Sequence, residues 1–225
     1  MSLSLRIKIC GLTRVDQAQA IAALGIDALG FICVPESPRY IAPNAIGKIV
    51  AELPAILLSG VALAKIGVFA NASLEQIIAT VDRGRLTGVQ LHGQESPDFC
   101  RAIRTALPDV ELIKAFRVRD VGSLIETKAY TSSVDTFLLD AFNPHALGGT
   151  GETWNWSLVA GFKPDCPWFL AGGLTPMNAI AAVQQVNSTG IDVSSGVERS
   201  PGDKDLGLVR ALCNALQRQG ASSNT

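Results

Sequence analysis

Eight short apolar runs, each followed by a stretch with helical spacing, recur along the chain, and this rhythm restricts the fold more than any other feature. The runs are Arg6 to Cys10, Ala28 to Ile32, Lys65 to Phe69, Gly88 to Leu91, Leu112 to Ala115, Thr136 to Leu139, Trp168 to Ala171 and Gly190 to Val193. Their starts recur every 22 to 37 residues, about the length a right-handed crossover helix needs. The spacing predicts helices over Arg14 to Leu24, Pro43 to Glu52, Ser73 to Val81, Ser96 to Leu107, Val121 to Lys128, Ser157 to Gly161, Pro176 to Val186 and Leu206 to Gln217. Eight such units close a (β/α)8 TIM barrel of class α/β, with an open doubly wound sheet as the alternative. At 225 residues the chain has room for one barrel and little else. We therefore expect a single domain over residues 1–219 and a small polar tail, 220–225, without fixed structure.

Charge narrows the partners. Nineteen basic residues against twenty acidic ones leave a net charge of −1, which offers no general attraction for nucleic acid or an anionic membrane. A small molecule is the expected ligand. The five cysteines, at 10, 33, 100, 166 and 213, form no metal-spaced pair, so reduced thiols and a cytoplasmic setting are expected. No charged-then-apolar leader precedes the first strand. The most apolar region, Ala55 to Ala70, is broken by Ser59, Gly60 and Lys65, short of the roughly 18 apolar residues that a membrane helix takes.

In a barrel the carboxyl ends of the strands converge on the site. The first strand alternates Ile7 and Ile9 on one face with Lys8 and Cys10 on the other, which places the thiol at the barrel mouth. Cys10 reads either as a reactive group or as an inert buried cysteine. Gln90 and His92 share the inward face of the fourth strand, where contact with substrate is a better reading than proton transfer. Asp140 ends the apolar sixth strand as an acid or base, or as a loop-side cap. The Gly148-Gly149-Thr150-Gly151 cluster after it reads as a turn beside the site, and Trp154 and Trp156 as packing residues. Gly172-Gly173 and Ser194-Ser195-Gly196 follow the seventh and eighth strands, where barrels bind phosphate on exposed backbone N–H groups; two tight turns are the competing account. Once the barrel closes, the first and eighth strands are neighbours, so Lys8 is expected to pair with Asp192. Such a pair either favours the Cys10 thiolate or is purely structural.

Nine stretches, in order, resemble the phosphoribosylanthranilate isomerase family. They are Lys8-Ile9-Cys10-Gly11-Leu12-Thr13; Gly30-Phe31 with Ser37-Pro38-Arg39-Tyr40; Gly67-Val68-Phe69; Val89-Gln90-Leu91-His92-Gly93; Leu139-Asp140; Gly148-Gly149-Thr150-Gly151; Ala171-Gly172-Gly173-Leu174; Asp192-Val193-Ser194-Ser195-Gly196-Val197-Glu198; and Pro201-Gly202-Asp203-Lys204-Asp205. The chain departs from the family at Cys33, where a bulkier apolar residue is usual, and at Trp154-Asn155, where Phe-Asp is usual.

The resemblance implies Cys10 as general base, Asp140 as general acid and Arg39 as the partner of the anthranilate carboxylate. Lys8, Gln90 and His92 are expected to serve substrate binding, and Gly172, Gly173, Ser194, Ser195 and Gly196 to hold the phosphate. The implied reaction is an Amadori rearrangement in tryptophan biosynthesis. Asp140 protonates the ribose ring oxygen, the ring opens to a Schiff base, and Cys10 as thiolate removes the C2′ proton to give an enolamine that tautomerises to the ketone. The cationic Schiff base is the electron sink, so neither a metal nor another cofactor is implied. The expected partner is a small phosphosugar, with a monomer favoured and a dimer the alternative. Other phosphosugar barrels, such as indole-glycerol-phosphate synthase or a pentose-phosphate epimerase, do not rest on a first-strand Cys with a sixth-strand Asp. A barrel that binds phosphate without catalysis fits poorly with the presence of both residues.

Overall fold

The computed structural model describes residues 5–141 and 156–222, without the side chains of 141 and 217–222. The cluster 148–151 and the pair Trp154-Asn155 lie outside the described residues. In chain order the elements are β1 (Arg6–Cys10), α1 (Val15–Ala22), β2 (Ala28–Ile32), α2 (Pro43–Ala51), β3 (Ala64–Phe69), α3 (Leu74–Gly84), β4 (Gly88–Leu91), α4 (Pro97–Ala106), β5 (Glu111–Val118), α5 (Val121–Glu126), β6 (Thr136–Ala141), β7 (Trp168–Ala171), α6 (Ala179–Gln185), β8 (Gly190–Val193), β9 (Glu198–Ser200), β10 (Asp203–Lys204) and α7 (Leu206–Ser222). Strands β1 to β8 pair in sequence order, all parallel, and β8 returns to β1 to close the barrel. The eightfold rhythm is therefore a barrel and not an open sheet.

Period-two alternation sorts the side chains into two cores. One face of the strands, including Ile9, Leu29, Phe31, Val89, Leu91, Leu139, Leu170 and Ile191, packs outward against the helices. The other face fills the lumen with a smaller cluster built from Ala28, Ile66, Ile113, Ala115, Leu138, Phe169 and Ala171. The floor is closed by an ion pair from Arg6 at the start of β1 to Glu111 at the start of β5. Arg6 donates through Nη1 at 2.5 Å and Nη2 at 2.7 Å, and its guanidinium lies 5.4 Å from the centre of the Phe169 ring.

Five parts of the structure differ from the sequence expectation. Strand β5 runs on to Val118, which adds Arg117 to the barrel rim opposite Asp140 in the ladder. Helix α5 is short and continues as a 3-10 turn over Thr127–Tyr130, where the Thr127 hydroxyl donates to the Leu124 carbonyl at 2.8 Å. Only a 3-10 turn, Trp156–Leu158, stands where a helix over 157–161 was predicted, and Trp156 is buried as a packing residue. Helix α7 extends to Ser222, past the predicted end at Gln217. The hairpin β9–β10 has no apolar pattern to announce it; cross-strand pairing of Glu198 with Lys204 and of Ser200 with Asp203 builds it.

Candidate active site

A cavity of about 420 Å³ occupies the carboxyl end of the barrel. It is lined by Cys10, Arg39, Gln90, His92, Arg117, Asp140, Gly172, Gly173, Asp192, Ser194 and Ser195, with Ile32, Ser37, Val68, Leu138, Ala171 and Leu174 between them. Nearly every strand end read from the sequence thus reaches one space. Two of the expected site residues do not line it. Gly196 sits below the rim, where a Cβ would fall 1.8 Å from the Leu174 carbonyl oxygen. Lys8 is fully buried in the lumen and lies one strand step beneath Cys10, so it faces the thiol and Asp192 rather than the cavity.

On the β1 and β8 side, Cys10 opposes Gly30 across the β1–β2 ladder. A side chain at position 30 would collide with the thiol, since a Cβ there would lie 2.6 Å from Sγ. Burial pushes the Cys10 thiol above its ordinary range; the charges of Lys8 and Lys204 pull it back, while Asp192 adds to the rise. Lys8 Nζ donates to Asp192 Oδ2 at 2.8 Å, which is the pair expected from barrel closure. Burial, the largest influence, works to lower the Lys8 ammonium, but Asp192 and Cys10 together outweigh it and leave Lys8 raised. The second thiol nearby, Cys33, has no cation acting on it among its causes and is pushed by burial to about 12. Position, not residue type, separates the two cysteines.

On the β4 and β6 side the groups form a chain. Gln90 Nε2 lies 3.1 Å from His92 Nδ1, and His92 Nε2 lies 3.2 Å from Asp140 Oδ2. Gln90 Oε1 is buried with no partner among the described residues in this orientation. With Gln90 Nε2 donating to Nδ1, the ring proton sits on Nε2 and points at Asp140 Oδ2. Asp140 is half-buried at the rim. It stands on an ordered strand end rather than as a loop cap.

The turns after β7 and β8 form the remaining rim. Gly172 and Gly173 take positive φ angles of 89° and 64°, and the Gly173 carbonyl is held by Asn178 Nδ2 at 3.0 Å. Ser194 Oγ donates to the Cys10 carbonyl at 3.0 Å, which fastens the β8 turn to β1. Three residues whose importance the alternation pattern did not reveal also act here. Arg117 lies on the extended end of β5. Glu198 and Lys204, from the hairpin, grip Arg39: Arg39 Nε donates to both Glu198 oxygens at 3.0 Å and Nη2 to Oε2 at 2.7 Å, while Lys204 Nζ donates to Oε1 at 2.8 Å. Both residues stand in the stretches matched above, which was the available signal.

Comparison with known proteins matches residues 7–215 to the family model described as N-(5'phosphoribosyl)anthranilate (PRA) isomerase. A protein of Acaryochloris marina named N-(5'-phosphoribosyl)anthranilate isomerase is 56% identical over 208 residues, covering 92% of this chain and 96% of its own. The crystal structure of phosphoribosyl anthranilate isomerase from Thermotoga maritima superposes with a TM-score of 0.84 at 34% identity, covering 95% of this chain and 99% of its own. A second solved isomerase, in complex with reduced 1-(o-carboxyphenylamino)-1-deoxyribulose 5-phosphate, gives a TM-score of 0.80 at 32% identity over 95% and 99% of the two chains.

Proposed function

The chain belongs to the N-(5'-phosphoribosyl)anthranilate isomerase family, and from that premise we propose how its residues divide the work. The enzyme converts N-(5-phosphoribosyl)anthranilate into 1-(2-carboxyphenylamino)-1-deoxyribulose 5-phosphate, a step of tryptophan biosynthesis. The observation that carries the assignment of roles is that Cys10, the only thiol among the described residues lining the cavity, and Asp140 at its rim line the same 420 Å³ space from different walls.

Asp140 acts as the general acid. It donates its proton to the ribose ring oxygen, and His92 on its Oδ2 side orients the carboxyl. Cys10 acts as the base. Its thiolate, formed against the fields of Lys8 and Lys204, removes the C2′ proton of the Schiff base, and the resulting enolamine tautomerises to the product. Arg39 meets the anthranilate carboxylate. Its contacts to Glu198 use Nε and Nη2, and Nη1 has no partner among the described residues. Gly172, Gly173, Ser194 and Ser195 hold the phosphate, with Gly196 shaping the turn beneath them. Gln90 positions His92, and Lys8 acts on substrate only through Cys10. Asp192 Oδ1, buried at the cavity wall without a partner among the described residues, is placed to accept from a ribose hydroxyl.

The test generates the substrate in situ from anthranilate and phosphoribosyl pyrophosphate and follows the loss of its fluorescence when the protein is added. Turnover abolished by Cys10→Ala and by Asp140→Asn supports the assignment; full turnover in either variant overturns that residue's role. No helix among the described residues is long and apolar enough to cross a membrane. We further place the enzyme in the cytoplasm as a monomer; a dimer-sized species in sedimentation velocity would refute the monomer.

A further inference from the structure

The Pro201-Gly202-Asp203-Lys204-Asp205 stretch enters the chemistry above only through the field of Lys204 on Cys10, yet it lies beside the site. The hairpin that carries it is fastened to the β1–α1 connection and to the first turn of α1. Thr13 Oγ1 donates to the Gly202 carbonyl at 2.6 Å; Gln17 Nε2 donates to Asp203 Oδ1 at 2.6 Å and to the Lys204 carbonyl at 3.0 Å, and Gln17 Oε1 accepts from Lys204 N at 3.0 Å. The Lys204 side chain is completely buried, and its ammonium donates to Glu198 Oε1 at 2.8 Å and to the Ser194 carbonyl at 3.2 Å. Glu198 also accepts from Gly202 N at 3.1 Å.

Charge accounting shows what the cluster is for. An arginine paired one to one with a buried carboxylate is already neutralised and makes a weak receptor for a second carboxylate. In this cluster one carboxylate, Glu198, lies between two cations, Arg39 and Lys204, so one net positive charge remains while Cys10 is a neutral thiol. Lys204 cannot show that charge to solvent or ligand directly, because it is buried. Arg39, the member that lines the cavity, is where it is felt. The Lys8 and Asp192 pair on the neighbouring strands balances and leaves no such excess.

We propose that Lys204 is a positioning residue for anion recognition: by sharing Glu198 with Arg39 it holds the guanidinium edge-on and leaves its charge available for the carboxylate of the substrate. This rests on the reading of Arg39 as the carboxylate anchor. Because Lys204 also bonds the Ser194 carbonyl, the same ammonium ties the carboxylate end of the site to the β8 turn.

The experiment compares two ligands by calorimetric titration: reduced 1-(2-carboxyphenylamino)-1-deoxyribulose 5-phosphate and the same molecule lacking the ring carboxylate. A charge-assisted contact makes the wild-type protein prefer the carboxylated ligand by roughly ten- to a hundredfold. Arg39→Met loses that preference. Lys204→Met loses most of it; release of the Ser194 carbonyl lowers both affinities together, so the ratio between the two ligands reads the charge alone. The double variant Glu198→Met/Lys204→Met, which removes the neutralising carboxylate as well and leaves no unpaired buried charge, recovers the preference. A hairpin that served only as a scaffold would lower both affinities together and would not be rescued by the second substitution. Retention of the wild-type preference in Lys204→Met, or no recovery in the double variant, overturns the proposal. Retention of it in Arg39→Met overturns instead the Arg39 reading on which the proposal rests.

Discussion

The two walls of the cavity handle charge in opposite ways. The wall made by β8, β1 and the β2 loop is buried and dense with charge: Lys8 with Asp192, Arg39 with Glu198 and Lys204, and Cys10 between these groups. The wall made by β4 and β6 holds Gln90, His92 and Asp140, is half-exposed at the rim, and carries a linear hydrogen-bond chain. A base and an acid need these different settings. A thiol becomes a base only when cations offset the cost of burying its anion, so it sits where two lysines act on it. A carboxylic acid that must be reprotonated in each turnover sits where a histidine and water have access.

Removing the proton-transfer group from either wall gives the largest effect. Cys10→Ala and Asp140→Asn each lower kcat by a factor on the order of 100 or more. Circular dichroism and thermal melting report an intact barrel in both. A loss confined to one wall would show that the walls do not share the reaction.

Lys8→Met breaks the buried wall at its base. It leaves Asp192 buried without its cation and costs about 3–5 kcal/mol of stability, measured by urea unfolding. The same variant moves the Cys10 alkylation midpoint further upward, because Lys8 acts to lower a thiol that burial has already raised. The thiolate fraction at any given pH falls accordingly. Iodoacetamide profiles with Cys33, Cys100, Cys166 and Cys213 replaced provide the measurement, and an unchanged profile in a folded variant leaves Lys8 a structural role only.

Arg39→Lys sharpens the contrast at the loop. A planar fork shared between Glu198 and a ligand is replaced by a point charge, so KM rises by roughly tenfold with a smaller change in kcat. A defect in kcat alone would move Arg39 into the chemistry. The smallest effect is expected from inorganic phosphate, a competitive inhibitor at about millimolar concentration. In a crystal it binds the backbone N–H groups around Gly173 and Ser195-Gly196, and a phosphate bound only elsewhere would remove those turns from the site.

Much of this was legible in the chain because the governing rules are local. Alternation in β1 put Lys8 and Cys10 on one face, and alternation in β4 did the same for Gln90 and His92. Barrel closure then predicted Lys8 beside Asp192, and the two are register partners. The hairpin escaped such reading. Glu198-Arg199-Ser200 and Asp203-Lys204 are polar on both faces, so no periodicity marks them. Arg117 escapes because Leu112 to Ala115 is already a strand-length apolar run, although Phe116-Arg117-Val118 continues the alternation.

The sequence by itself determined the eight-unit barrel and the mouth as the place of chemistry, which follow from spacing, and its family resemblance marked Cys10, Asp140 and Arg39 as the residues to examine. Only the tertiary structure decided how they are charged. Burial, two lysines and an aspartate act on Cys10 from β1, β8 and β10. Arg39 and Glu198 are 159 positions apart in the chain and meet only when the barrel closes and the hairpin folds back over β1. Electrostatic influence falls off with distance in space, which the chain order does not encode.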